Sequence, residues 1–156
     1  MSGLYERFIK LLEDHKARYE IMEHIAISNT QEGIAALGIP LESAFKTLAF
    51  VANGKYFFVV IQGGKRMDYK KLATALGVDR KSISMMPQDI VEELGYQAGG
   101  LSPLHVDHRI SVYFDGITPE MGDIYVGMAV KDKTLKIGAS ALIAISNAEI
   151  VSLTKD

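Results

Sequence analysis

Lys46 is the residue best suited to chemistry, because it begins an otherwise apolar run, "KTLAFV". Successive residues of a β-strand face opposite sides, and here both sides are mostly apolar, which indicates a central strand covered on both faces. A lysine in such a strand either extends from the strand end to keep its ammonium group in water or projects into a cavity. In a cavity, the ammonium group could hold an ester carbonyl or a phosphate oxygen. The sequence allows both interpretations.

The stretch "GYQAGGLSPLH", from Gly95 to His105, carries three glycines and a proline. Glycine loses more conformational freedom on folding than any other residue, so such a cluster needs a reason. The segment is either a plain loop or a cavity wall, where Gly99 and Gly100 let the backbone approach a ligand and offer it N–H donors. Ser102 lies outside a G-x-S-x-G pattern and is therefore not expected to be an activated nucleophile.

Other clusters of titratable residues do not match known ligand or catalytic spacings. The segment "HVDH" (105–108) lacks the spacing of H-E-x-x-H, "DGITPEMGD" (115–123) lacks that of an EF-hand, and "GGKR" (63–66) lacks the P-loop pattern. The chain has no cysteine, which excludes disulfides, thiolate metal sites and a cysteine nucleophile. The sequence therefore predicts neither a metal nor an organic cofactor.

The composition is that of an ordinary globular protein. The chain has 156 residues, 48% of them hydrophobic and 23% charged, with a net charge of −2 and a mean hydropathy of +0.11. This length predicts a single domain over residues 1–156. No run approaches the roughly 20 apolar residues of a membrane span, and the charged N-terminus is unlike a signal peptide. These features predict a cytoplasmic protein without a membrane partner, and the lack of a heptad seam favours a monomer.

A basic segment stands out against the slightly acidic total. Its cations, opposed only by Asp68 and Asp79, are Lys65, Arg66, Lys70, Lys71, Arg80 and Lys81. Such a cluster is either a solvated surface or a place where phosphates bind, since phosphate contacts need only a few cations on one face.

Local patterns predict a mixed α/β fold. Asn53-Gly54 between two apolar, β-branched and aromatic runs predicts a type I′ hairpin. Apolar residues at helical spacing near the N-terminus predict one helix, and the segment "DYKKLATAL" predicts a second. Asn29 with Glu32 resembles a capping box at the start of a further helix. Further short strands follow the glycine stretch, so we expect one domain built on a mixed or antiparallel sheet with flanking helices.

Taken together, these segments resemble the YbaK-type aminoacyl-tRNA deacylases, also known as the prolyl-tRNA synthetase-associated editing domain. The resemblance rests on the strand "FKTLAFV", the hairpin "NGKYFFVVIQGGKRMDYKKLATALG" and "GYQAGGLSPLH", and it extends over nearly the whole chain. It implies a single mixed α/β domain that hydrolyses the ester joining a wrong amino acid to tRNA. By its length, the chain is similar to the free-standing members.

The resemblance also implies roles for individual residues. Lys46 matches the family lysine that orients the aminoacyl ester and is needed for activity, while Gly99 and Gly100 match the loop that binds the aminoacyl end, with Ser102 beside them. Pocket-side residues are implied at three further positions, namely Tyr19, Thr47 and Gly127. The segment "MAVKDK" after Gly127 departs from the family pattern and leaves the accepted amino acid open.

This interpretation predicts acyl transfer to water without a nucleophile from the protein. The rate would come from positioning, carbonyl polarisation and groups on the substrate, such as a free 2′-hydroxyl or a substrate side chain. The expected substrate resembles cysteinyl- or alanyl-tRNA(Pro), bound through Lys65, Arg66, Lys70 and Lys71, with a synthetase as a further partner. Two alternatives stay open: a module that binds a small molecule or tRNA without cleaving it, and a hydrolase of another small ester.

Overall fold

A computed structural model describes residues 3–26 and 30–155, and Asn29 of the expected capping box lies outside these ranges. The helices of the described residues are α1 (Leu4–Asp14), α2 (Thr30–Leu37), α3 (Tyr69–Leu76), α4 (Gln88–Glu93) and α5 (Ala139–Ile145). The strands are β1 (Tyr19–Glu23), β2 (Phe45–Ala52), β3 (Lys55–Gln62), β4 (Ile83–Met85), β5 (Ile110–Asp115), β6 (Asp123–Gly127), β7 (Lys133–Gly138) and β8 (Glu149–Val151).

The strands form two sheets. A mixed five-stranded sheet has the order β4-β2-β3-β5-β8, and an antiparallel three-stranded sheet has the order β1-β7-β6. A bridge between Ala44 and Tyr125 joins the start of β2 to β6. The predicted fold class is therefore confirmed, with the strands divided between two sheets rather than placed in one. No helix in the described ranges is both long enough and apolar enough to span a membrane.

The Asn53-Gly54 turn forms as predicted and sets the register of the larger sheet. Asn53 has φ 51° and Gly54 has φ 76°, the two positive values that a type I′ turn requires. Ala52 therefore pairs with Lys55, and β2 and β3 remain in register along their whole length. This hairpin places Lys46 at the far end of β2 from the turn.

Helices cover both faces of β2, as its apolar pattern predicts. On one face, Ala49 joins a core with Phe8 and Leu12 of α1. On the other face, Phe50 packs in a second core with Leu72 of α3. The helix α3 begins at Asp68, whose carboxylate accepts hydrogen bonds from the N–H groups of Lys70 and Lys71. It ends at Gly77, which has φ 67°.

Only the second half of β2 has a strand on its outer edge. The short strand β4 pairs with residues 50–52, so residues 45–49 pair along β3 alone. Pro87 follows two residues after the end of β4 and is the N-cap residue of α4. The first half of β2 thus has an open edge, and this edge positions the candidate site.

Candidate active site

A cavity of about 280 Å³ lies along the open edge of β2. Its walls come from α2, the first half of β2, the segment from β4 to α4, the loop 97–101 and the facing ends of β6 and β7. Most of its side chains are apolar, including Ile34, Leu48, Met86 and Val126. The cavity therefore combines an apolar interior with a strand edge that carries polar backbone groups.

Lys46 lines this cavity and is half-buried. Within residues 3–26 and 30–155, no hydrogen bond or ion pair involves its side chain. The described lining contains no Asp, Glu or His. A second cation, Lys133, also reaches the lining, but its ammonium group lies 5.3 Å from the ring of Tyr5 and 3.5 Å from the Asp132 carboxylate. Lys46 is therefore the cation available to an incoming oxygen.

Thr47 also lines the cavity, from the opposite face of β2. Its Oγ1 atom is buried and has no hydrogen-bond partner among the described residues. Leaving a buried hydroxyl unpaired costs about 1–3 kcal/mol, which a ligand that pairs with it would recover.

The backbone of Thr47 faces the same open edge. Ala52 and Lys55 close a two-residue hairpin, so the backbone N–H and C=O groups of every second residue of β2 bond to β3. The backbone groups of the residues between them point to the other edge of β2, away from β3. Ala49 is one of the outward residues, since its carbonyl accepts a hydrogen bond from the Met86 N–H group at 2.9 Å. Thr47 lies two residues earlier, so its N–H and C=O groups point to the cavity edge.

Replacing Thr47 with Val tests whether this hydroxyl serves function rather than folding. We expect Thr47→Val to leave the free energy of unfolding unchanged or to raise it by about 1 kcal/mol, because an unpaired polar group is removed. We expect the same change to weaken ligand binding or hydrolysis. Urea unfolding and an activity assay of the one variant check both effects. Loss of stability without loss of activity would contradict the assignment.

Gly99 lies in the cavity wall, and Gly100 lies just behind it. The Gly100 N–H group donates to the Gln97 carbonyl at 2.9 Å, and Gly99 has φ 82°, which only glycine adopts readily in such a turn. Gly99 lines the cavity, whereas Gly100 is buried against the backbone of residues 129 and 130. The Gly100 amide is thus used within the turn, and Gly99 is the glycine that faces the cavity.

The glycine loop is held by the segment that follows β6. Gln97 donates its backbone N–H to the Ala129 carbonyl at 2.8 Å, and the Ala129 N–H donates to the Gly100 carbonyl at 2.7 Å. The side-chain oxygen of Gln97 accepts from the Lys131 N–H at 3.0 Å. Gly127 lines the cavity too, and a Cβ atom there would lie 2.1 Å from the Leu101 carbonyl oxygen. Glycine at 127 therefore permits close contact between the two segments.

Two residues implied by the resemblance do not line the cavity. Ser102 is fully buried, and its Oγ accepts a hydrogen bond from the Leu104 N–H at 3.1 Å. Tyr19, on β1, donates its hydroxyl to Glu13 at 2.6 Å. This bond raises the pKa of Tyr19 to about 12. Both side chains have partners that fix local structure.

The basic residues lie around the start of α3, on the same face of the larger sheet as Lys46. Lys65, Arg66 and Lys70 are exposed. Lys71 is less exposed, and its ammonium group donates to the Thr154 carbonyl at 2.7 Å. Three of the four cations are thus open to solvent on one side of the molecule.

The titratable residues after the glycine loop form an ion pair instead of a ligand set. Arg109 donates to the Asp107 carboxylate at 2.6 Å, and this pairing lowers the pKa of Asp107 to about 2. In the parts of the chain that the structure describes, no three His, Asp or Glu side chains are grouped to hold a metal ion.

Sequence reasoning missed several residues of the cavity. Lys133 and Thr134 on β7, Gln97 and the residues of α2 all contribute to its wall. The sequence predicted short strands here, but β7 lies at the cavity because it pairs with β6, which the Ala44–Tyr125 bridge joins to the start of β2. Nothing in the local sequence marks this bridge.

Comparisons with known proteins place this chain in a family. The family model described as the aminoacyl-tRNA editing domain matches residues 24–145. A proline–tRNA ligase of Staphylococcus aureus is 30% identical over 109 residues, which are 69% of this chain and 19% of that protein. The chain thus spans about a fifth of the length of this relative.

Solved structures agree on the fold. One, described as a candidate trans-editing enzyme for prolyl-tRNA synthetase, superimposes with a TM-score of 0.85 at 19% identity, covering 100% of this chain and 99% of that one. A second, a hypothetical protein, has a TM-score of 0.84 at 20% identity over 96% of this chain and 99% of that one. With the family match across most of its length, the chain belongs to the aminoacyl-tRNA editing domain family.

Proposed function

We propose that this protein is a trans-acting aminoacyl-tRNA deacylase that hydrolyses the ester of mischarged tRNA. The observation that carries the proposal is a lysine, Lys46, that has no partner in the described part of the chain and lies at a cavity whose wall includes Gly99 and Gly127, inside an editing domain. The relative in Staphylococcus aureus is a proline–tRNA ligase, which supports tRNA(Pro) as the tRNA that carries the wrong amino acid.

The proposed chemistry is attack of water on the ester carbon. Lys46 holds the carbonyl oxygen and stabilises the negative charge that develops there, an interaction that strengthens in the transition state. The turn at Gly99 lets the terminal ribose approach the backbone closely. Because the described part of the lining has no Asp, Glu or His, the proton lost by the attacking water passes through a second water or the neighbouring ribose hydroxyl to the ester's ribose oxygen, which leaves as its bond to the ester carbon breaks.

The size and lining of the cavity support a small aminoacyl group such as alanyl or cysteinyl. The volume of about 280 Å³ must hold both the amino acid and part of the ribose. Apolar walls discriminate weakly between similar side chains, about 1–3 kcal/mol per methylene. We therefore propose that large side chains are excluded by size and that cysteine and alanine are separated less sharply.

The tRNA body is proposed to lie on the α3 side, where its phosphates meet Lys65, Arg66, Lys70 and Lys71. We propose that a single copy of the chain binds the substrate in the cytoplasm and needs no cofactor. The mischarged tRNA reaches it either after release from a synthetase or while still bound to one.

Salt dependence tests the role of this surface. We expect the double variant Lys65→Ala/Lys70→Ala to weaken tRNA binding. The association constant falls as salt rises, and we expect the magnitude of the slope of its logarithm against log[salt] to decrease by about 2, one for each phosphate that is no longer neutralised. The control is Lys10→Ala/Lys16→Ala, which removes equal charge beside α1, on the opposite face of the sheet. Equal slopes for both double variants would exclude the α3 surface as the tRNA site.

A panel of mischarged tRNAs tests the function itself. Cysteinyl- and alanyl-tRNA(Pro) are incubated with the protein alongside correctly charged prolyl-tRNA(Pro), and free amino acid is measured. We expect release above the buffer rate for at least one of the first two. Binding of the panel without any release would instead identify a binding module. Equal hydrolysis of a short aminoacylated fragment and of full tRNA would indicate a hydrolase of small esters.

A further inference from the structure

His24 and Thr134 form a hydrogen-bonded pair at the cavity that the proposed chemistry does not use. Thr134 lines the cavity from β7 and is 7% exposed. Its Oγ1 atom lies 2.9 Å from Nε2 of His24. The family match begins at His24, yet no pattern in the sequence marked this histidine.

Hydrogen-bond chemistry fixes the direction of this pair. Nδ1 of His24 lies 2.6 Å from the carbonyl oxygen of Ile25, and a carbonyl can only accept, so Nδ1 carries the hydrogen. In neutral imidazole the other nitrogen, Nε2, is then a bare acceptor. Thr134 must therefore donate its hydroxyl hydrogen to Nε2.

This direction leaves Thr134 as an acceptor only. Its single hydrogen is committed to His24, and no donor among the described residues fills the lone pairs of Oγ1. The described cavity lining holds two lysines and no carboxylate. A cationic group that enters the cavity must therefore find a neutral acceptor.

We propose that Thr134, with its hydroxyl hydrogen held by His24, is the acceptor for the α-ammonium group of the aminoacyl ligand. The inference rests on the proposed function, because an aminoacyl ester is the ligand that brings such a group. Thr134 then binds the amino end while Lys46 holds the carbonyl oxygen. His24 acts through Thr134 as a positioning residue.

Two stable analogues, 3′-deoxy-3′-(L-alanylamino)adenosine and 3′-deoxy-3′-(propanoylamino)adenosine, test the proposal by titration calorimetry. The second has a hydrogen in place of the α-ammonium group and adds no bulk. We expect the wild-type protein to prefer the free amine by at least about tenfold, the effect of one hydrogen bond to a charged group. Thr134→Val should reduce this ratio to about one, and Thr134→Ser, which keeps the hydroxyl, should retain it.

Replacing His24 separates the part played by this residue. His24→Phe removes the acceptor that holds the Thr134 hydrogen, so the preference for the free amine should fall well below the wild-type ratio although Thr134 is retained. An unchanged ratio in folded His24→Phe would overturn the role of His24.

The outcomes separate this inference from the proposed function. An unchanged ratio in folded Thr134→Val, or no binding of either analogue by wild type, would overturn the assignment of Thr134 even if mischarged tRNA is hydrolysed. A Thr134-dependent preference without hydrolysis of any tRNA would support this inference and overturn the proposed function.

Discussion

Replacing Lys46 with Ala is expected to lower the rate constant of ester hydrolysis by about 10²–10³-fold, the loss seen when a group that stabilises a developing oxyanion is removed. The side chain contributes the cation of the cavity that has no partner among the described residues. Its removal therefore leaves no buried charge unpaired, and the free energy of unfolding should change by less than about 1 kcal/mol. Single-turnover deacylation and urea unfolding measure the two effects.

Two further variants sharpen the Lys46 result. Lys46→Arg keeps the charge but changes its reach and shape, so we expect partial activity only. Lys55→Ala removes an equal charge from an exposed position on the same hairpin and should retain full activity. A loss of similar size in Lys55→Ala would show that the hairpin's net charge, rather than a group at the cavity, governs the rate.

Replacing Gly127 with Ala is expected to have the largest effect on stability, about 3 kcal/mol or more. The added Cβ would lie 2.1 Å from the carbonyl oxygen of Leu101, and 3.0 Å from its carbonyl carbon. Both are backbone atoms that cannot move aside as a side chain can, so the loop must shift, at a cost at or above the upper end of the roughly 1–3 kcal/mol typical of overpacking. Because the loop carries Gly99, hydrolysis should fall as well.

Gly122→Ala is the matched control for this prediction. Gly122 precedes β6, has open space where a Cβ would be, and does not have a positive φ. The change should leave the free energy of unfolding within about 1 kcal/mol, or raise it slightly by restricting the unfolded chain. Urea unfolding compares the two variants. Equal stability of Gly127→Ala and Gly122→Ala would contradict the contact described between the two cavity segments.

The sequence predicted those parts of the fold that local chemistry determines. The hairpin at Asn53-Gly54 and the α3 helix between Asp68 and Gly77 are examples, since turn and capping preferences act over a few residues. The apolar character of both faces of β2 likewise predicted a strand covered on both faces, which the structure confirms, although only residues 50–52 have a neighbouring strand on each edge.

The cavity depended on longer-range contacts, and the sequence predicted it in part. Glycine clustering pointed to the loop at 97–101, but not to which glycine faces the cavity. That depends on Ala129, whose N–H and C=O bond to this loop from about thirty residues away. Likewise, Thr134 reaches the cavity through its pairing with Gly127 of β6, the strand that the Ala44–Tyr125 bridge joins to β2. Such contacts leave no periodic signal along the chain.

The most direct test of the proposed function is deacylation of alanyl- and cysteinyl-tRNA(Pro) by wild-type protein and by Lys46→Ala under the same conditions. We predict release of the free amino acid and intact tRNA by the wild type, at a rate well above buffer, and near-buffer rates for the variant. Hydrolysis that is equally fast in folded Lys46→Ala would contradict the role of the lysine. The absence of release by wild type would contradict the deacylase itself.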